Sequence, residues 1–186
     1  MYRRRHNSDT CSPFYYAALL GLLRTVSEAL KDNTADANAQ GGTFGNALQA
    51  ACALGHYDIA NLILESKCKV NIDFVNGYFG TALQATCYDG NESIVDLLLK
   101  RGCDVNIAGG EYGTALQAAS LRGHRNIFEK LISKKAKVDA TGGEYHTALQ
   151  AAASQGHFGI CQRLVELEAD IHISGGQYDT ALEAAS

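Results

Sequence analysis

The stretch GGEYGTALQAA at residues 109–119 has the look of an anion site, with paired glycines, a threonine and then a helix-forming run. Backbone N–H groups at a helix start bind phosphates, and glycines let the backbone approach them. A nucleotide loop also needs a lysine just before the Ser/Thr and a strand before the glycines. Here Gly113 precedes Thr114, and the extended piece before it is a few residues long. A hairpin turn feeding a capped helix fits these residues instead. His56, His124 and His157 each follow a glycine in one register, which spaces them along the chain rather than converging them on one ion. They are expected to bond at helix starts or between neighbouring segments. Cys11, Cys52, Cys68, Cys87, Cys103 and Cys161 contain no C-x-x-C pair and are expected as reduced thiols. Cys52 and Cys87 alternate with Ser120 and Ala153 at one register position. Cys68 and Cys103 alternate with Ala136 and Ala169 at another. Such exchanges mark small packing sites, not nucleophiles. No catalytic residue, cofactor or metal is expected.

The bulk numbers agree with a folded chain. It has 186 residues, 46% of them hydrophobic and 19% charged, with a net charge of −4 and a single proline, Pro13. That charge provides no general attraction to nucleic acid or an anionic membrane. The N-terminal MYRRRHNSDTCSPFYYAALLGLL mimics a secretory signal, but its apolar run is too short to span a bilayer. The repeat described next reads Pro13 to Gly21 as an ordinary helix.

The motif recurs. An A-L-Q/E-A core starts at residues 47, 82, 115, 148 and 181, one step of 35 followed by three of 33. A fixed period in this range signals stacked units. Thr81, Thr114, Thr147 and Thr180 precede the core, and Gln84, Gln117, Gln150 and Glu183 follow three residues later. This is a capping-box pattern, with Asn46 and Gln49 as a variant. Alanines keep the first helix of each unit slim, and Gly55, Gly90, Gly123 and Gly156 end it. A second helix carries apolar residues at i, i+4 and i+5, such as Ile94, Leu98 and Leu99, or Ile160, Leu164 and Val165. Lys130 and Arg163 stand where Leu62 and Leu97 stand, which places that position at the solvent edge. The longer step implies a two-residue insertion within Ile72–Asn76.

The units resemble ankyrin repeats. The family's T-P-L-H-x-A-A-x-x-G-H core maps onto residues 114–124, and its G-A-D-V-N ending onto residues 102–106. The first unit keeps the proline, in Ser12-Pro13. The sequence departs from the family pattern in three ways: alanine stands for proline in later units, glutamine or glutamate for histidine, and Phe44, Phe79, Tyr112, Tyr145 or Tyr178 for a turn glycine. The turn conformation is therefore left open. The array also resembles the tandem ankyrin tracts of filamentous-fungal multidomain proteins of the NACHT-ankyrin type.

The resemblance implies an all-α solenoid of stacked helix-turn-helix units with short β-hairpin loops. A flexible basic tail is expected over residues 1–11 and the repeat domain over 12–186. Units fall at about 12–45, 46–80, 81–113, 114–146 and 147–179, with a partial one at 180–186. The implied function is a non-catalytic protein–protein interaction module, intracellular (cytoplasmic or nuclear) and part of a larger protein. The alternative is an array that selects substrates for an effector or enzyme domain outside these residues. No nucleic acid, membrane or small-molecule substrate is expected. The partner surface would be the concave side, formed by hairpin tips and inner helices: Leu54, Tyr78, Tyr88, Asp89, Glu111, Leu121, Arg122, Glu144, Ser154, Gln155 and Gln177. The loop aromatics either pack hairpin on hairpin or face the partner. The basic run from Arg122 to Lys137 reads as a solvated outer face or as the neighbour of an anionic partner.

Overall fold

The computed structural model describes residues 11–32 and 34–185. The described residues form eleven helices: α1 Pro13–Leu19, α2 Leu23–Lys31, α3 Ala47–Ala53, α4 Tyr57–Glu65, α5 Ala82–Asp89, α6 Glu92–Lys100, α7 Ala115–Arg122, α8 Arg125–Ser133, α9 Ala148–Ser154, α10 Phe158–Glu166 and α11 Ala181–Ala184. Odd-numbered helices stack in one row and even-numbered helices in a second. Each inner helix from α1 to α9 also packs on the outer helix that follows it. The basic tail expected over residues 1–11 lies outside the described residues except for Cys11, whose Sγ accepts from the Gly42 N–H at 2.9 Å.

Composition explains the two rows. Every residue of α7 from Ala115 to Leu121 is buried, so the helix is covered on all sides. Only a chain rich in alanine can be enclosed that closely by neighbours. Outer helices are one-sided, as in α6, where Ile94, Val95, Leu97 and Leu98 face inward. Each such side chain contributes about 2 kcal/mol when fully covered. Two expectations are corrected here. Leu97 is buried, while its counterparts Lys130 and Arg163 are half-buried and ion-pair with the preceding unit's Asp96 and Glu129. Val165 is 56% exposed, because outer-helix apolar positions are covered by the next outer helix and the described residues after α10 supply only the inner helix α11.

Polar ladders lock unit to unit. In the capping boxes at Asn46, Thr81 and Thr114, the glutamine Oε1 accepts the cap residue's N–H, and the cap side chain accepts the glutamine's own N–H. The other end of each glutamine reaches the following hairpin. Gln49 Nε2 donates to the carbonyls of Phe74, Asn76 and Gly80, and Gln84 to those of Ile107, Gly109 and Gly113. Gln117 donates to Gly142 and His146 at 3.0 and 2.6 Å, and Gln150 to Gly175 and Asp179 at 3.1 and 2.7 Å. The histidines form a second ladder. Nε2 of His56, His124 and His157 bonds Leu19, Tyr88 and Leu121 carbonyls of the preceding inner helices at 3.1–3.2 Å. This is the inter-unit role expected of them.

A third ladder relocates the insertion. The side-chain oxygens of Asn38, Asp73, Asn106 and Asp139 accept from the N–H of Asn71, Asp104, Lys137 and Asp170. Asn71 is therefore the counterpart of Asp104, not of Asn106, and the two extra residues lie between the end of α4 and Asn71. The Val-Asn pairs at 70–71 and 105–106 look alike in sequence but occupy different places. Val70, not Cys68, fills the position of Cys103.

The hairpin tips close by a bond between the first residue and the fifth: Asn76 to Gly80, Gly109 to Gly113, Gly142 to His146 and Gly175 to Asp179, each at 2.8–2.9 Å. Successive tips are joined by one main-chain bond, from Tyr78 to Thr43, Glu111 to Tyr78, Glu144 to Glu111 and Gln177 to Glu144. The expected β-hairpins thus reduce to turns with isolated bridges at Gly41–Gly45 and Asn76–Gly80. The last tip residue has positive φ throughout: 102°, 91° and 77° at Gly45, Gly80 and Gly113, then 63° and 58° at His146 and Asp179. After the two non-glycines, the amides of Thr147 and Thr180 turn to the carbonyls of Tyr145 and Tyr178 instead of closing the capping box.

Two stability predictions follow from these bonds. The Nδ2 of Asn46 is buried without a partner, and threonine fills this position in the other boxes. Asn46→Thr is expected to raise unfolding free energy by about 1 kcal/mol in denaturant titration. Gln117→Glu keeps the acceptor but turns an oxygen toward two carbonyls. It is expected to lower stability by about 2 kcal/mol at neutral pH. Those carbonyls favour the protonated acid, so its folded pKa rises above the ordinary value of about 4.3. The variant's deficit relative to wild type should therefore shrink as pH falls toward that value and grow as pH rises through the folded one.

Candidate functional site

The tips and the C-terminal ends of the inner helices face each other across one side of the array. From the first unit to the fourth their side chains form an aromatic cluster. The Tyr88 ring, at the end of α5, stacks on Tyr112 at 4.4 Å between centroids with an interplanar angle of 20°. Phe79 lies 5.9 Å from Tyr112 and stacks on Phe44 at 6.1 Å. Tyr78 meets Tyr112 edge-on, and their hydroxyls are 2.9 Å apart. The Tyr78 hydroxyl is also 2.9 Å from Glu111 Oε1, which accepts its proton. The Arg122 guanidinium lies 4.9 Å from the centroid of the Tyr88 ring. Tyr145 and Tyr178 form a separate stacked pair at 6.2 Å.

Local sequence explains the placement. The tip-to-tip backbone bonds fix residues such as Tyr78, Glu111 and Glu144 at one unit's spacing, so equivalent side chains stand in file. The aromatic that replaces the family's turn glycine points back under the tip. Tyr112 is 9% exposed, whereas the tip residue Tyr78 is 39% exposed. The series Phe44–Phe79–Tyr112 thus packs hairpin on hairpin, and the surface belongs to Tyr78 and the residues around it. Burial, then bonds to Tyr78 and Tyr88, push the Tyr112 phenol well above its ordinary value. Tyr78 is raised on balance: its bond to Tyr112 lowers it, while the bond to Glu111 and burial raise it.

Of the residues expected at the surface, Tyr78, Tyr88, Glu111 and Arg122 come together in this cluster. Asp89, Glu144 and Gln177 are exposed on the same side. Leu54 is exposed at the end of α3. Gln155 is exposed, and its side chain bonds the hydroxyl of the half-buried Ser154. Leu121 is the correction: at 6% exposure it is a core residue. Its place one residue before the exposed Arg122 rotates it under the inner helix. Tyr112 was not named as a surface residue, and it is the ring that ties Tyr78 to Tyr88.

Other regions carry less polar chemistry. Cys52 and Cys87 are fully buried, and burial pushes the Cys52 thiol up to about 12 and Cys87 well above its usual range. A groove of about 590 Å³ opens beside α11, lined by Leu149, Phe158, Val165, Ile171 and Leu182 among others. None of the described helices is long and apolar enough to cross a membrane.

Comparison with known proteins accords with this architecture. The model for ankyrin repeats (3 copies) matches residues 68–142, and the single ankyrin repeat model matches residues 144–175. The chain belongs to the ankyrin repeat family. Ankyrin repeats generally mediate protein–protein interaction, and the fold is typically a non-catalytic module. A crystal structure of the human ASB11 ankyrin repeat domain superposes with a TM-score of 0.73 at 27% identity, covering 94% of this chain and 76% of that one. The azaphilone pigments biosynthesis cluster protein L of Monascus ruber is 42% identical over 73 residues. That match covers 36% of this ankyrin chain and 15% of the relative, so it spans a small part of the relative's length.

The buried thiols yield a chemical prediction. Only the thiolate alkylates. Cys52 and Cys87 are therefore expected to resist iodoacetamide in the native chain and to react after unfolding, while the half-exposed Cys68 and Cys161 label before them, as read by peptide mass spectrometry. Burial favours the neutral thiols, so their contribution to stability holds below the ordinary value of about 8.5 and is lost as pH rises from there toward 12.

Proposed function

We propose that this chain is a non-catalytic protein-interaction module that takes a partner protein on its concave face, across the hairpin tips and the ends of the inner helices. The carrying observation is the aromatic cluster in which the buried Tyr112 ring ties the exposed Tyr78 to the half-buried Tyr88, flanked by Glu111 and Arg122. Exposed tyrosines and arginine on a rigid frame are strong interface anchors. Their ring-to-ring packing sets them in place before a partner arrives, which lowers the ordering cost of binding. Tyr78, Tyr88, Asp89, Glu111, Arg122 and Glu144 form the centre of the proposed surface, with Leu54, Ser154, Gln155 and Gln177 at its ends. Cys52, Cys68, Cys87, Cys103 and Cys161 form no disulfide among the described residues, which fits a reducing compartment, the cytoplasm or nucleus.

The array is proposed to belong to a larger protein. The short span of the Monascus ruber relative that it matches supports that reading. A second reading, that it selects substrates for an effector or enzyme domain elsewhere, uses the same face and differs in what is attached to it.

The test is selection from a displayed peptide library on the 186-residue chain, followed by affinity measurement of each binder. Tyr78→Ala and Glu111→Ala are expected to weaken binding about tenfold or more. Asp58→Ala and Gln162→Ala, on exposed outer-helix positions, are expected to leave it unchanged. Binders that respond to the outer-helix changes and ignore the inner-face ones would contradict the proposal, as would the absence of any specific binder.

A further inference from the structure

We infer that this face is built for an arginine-bearing segment of the partner, with the guanidinium against the Tyr78 and Tyr88 rings and its charge met by Asp89, Glu111 and Glu144. The inference rests on the proposed use of the inner face.

Charge distribution is the first support. On the outer helices, several carboxylates are paired with cations of neighbouring units. Arg101 pairs with Glu65, Lys130 with Glu92 and Asp96, and Arg163 with Glu129, at 2.8–3.2 Å. On the inner face, Asp89, Glu111 and Glu144 are exposed and have no ion pair among the described residues. Every ion pair among the described residues lies on or beside the outer helices, and none reaches the three carboxylates that surround the rings of the inner face. That side therefore attracts a cation and repels acidic segments and phosphate backbones.

Ring chemistry is the second support, and it is independent of the first. A guanidinium already lies over Tyr88, that of Arg122 from the neighbouring unit. The ring thus shows in the folded chain that it accepts this group. Arg122 is itself exposed and has no carboxylate partner among the described residues, so it can move aside for a second guanidinium.

Geometry joins the two. The Tyr78 hydroxyl holds Glu111 at the rim of the aromatic cluster, so a carboxylate and a ring surface sit side by side. A planar guanidinium can stack on a ring and bond a carboxylate edge-on at once. The compact lysine ammonium makes the second contact well and the first less well. Arginine is therefore preferred over lysine, and the face discriminates by shape as well as by charge.

The test uses fluorescent glycine/serine peptides bearing spaced arginines, with lysine and citrulline versions of the same length, titrated against the intact chain by anisotropy. Arginine peptides are expected to bind about threefold or more tighter than lysine ones, with citrulline peptides showing no saturable binding. Neutralising the face with Asp89→Asn, Glu111→Gln and Glu144→Gln together is expected to cost about tenfold. An equal charge change at Glu28→Gln, Asp58→Asn and Glu168→Gln should change affinity by less than about twofold. Arg122→Ala removes the internal competitor and should tighten arginine peptide binding. Equal losses from the two triple variants, no preference for arginine over lysine, or weaker binding to Arg122→Ala would overturn the inference. Library binders that use the inner face but carry no basic residue would sink this inference and leave the interaction reading standing. Absence of any inner-face binder would remove both.

Discussion

A single primary amide, repeated at Gln49, Gln84, Gln117 and Gln150, holds the array together. Its oxygen accepts from the residue that caps its own helix, from the cap N–H in the first three and from the Thr147 hydroxyl in the last, and its nitrogen holds the next unit's hairpin. The group is buried, so each unmade bond leaves polar atoms without water and costs about 1–3 kcal/mol. Aspartate and glutamate lack the donor, and histidine, lysine and arginine lack the spacing of oxygen and nitrogen on one rigid plane. The turn, the tip and the rings mounted on it all inherit their position from this contact. A unit without its neighbour has an amide aimed at nothing and an apolar flank in water.

The two sides of the solenoid divide the labour. Outer helices exchange ion pairs between units, and these exposed bonds are individually weak, about 0–1 kcal/mol each. They align the row more than they stabilise it. The inner side carries the dense alanine packing, the His-to-carbonyl bonds and the glutamine amides, and then presents rings and unpaired carboxylates beyond them. Rigidity under the surface and unsatisfied charge on it are the combination an interaction face requires.

Much of this was legible in the chain. The period, the capping boxes, the glycines after each inner helix and the inter-unit use of the histidines all have side-chain signatures. The second contact of each glutamine does not, because its acceptors are backbone carbonyls that any residue can supply. The same blindness misplaced the insertion. Val70-Asn71 and Val105-Asn106 match letter for letter, yet the ladder from Asn38 to Asn71 shows they occupy different steps. Leu121 was misassigned because sequence places it beside Arg122, while a helix rotates successive residues by about 100°. The aromatic series showed its spacing but not its direction. Only the positive-φ turn at the tip decides that Tyr112 folds under and Tyr78 stays out.

Hydrogen exchange by mass spectrometry on Gln117→Leu tests the coupling most directly. If the amide joins units, the hairpin at residues 142–146 and the helices on either side of the change lose protection, while α1 to α4 stay near wild type. Protection lost evenly along the whole chain, or kept intact at residues 142–146, would show that the units are held by packing alone and that the glutamine is incidental.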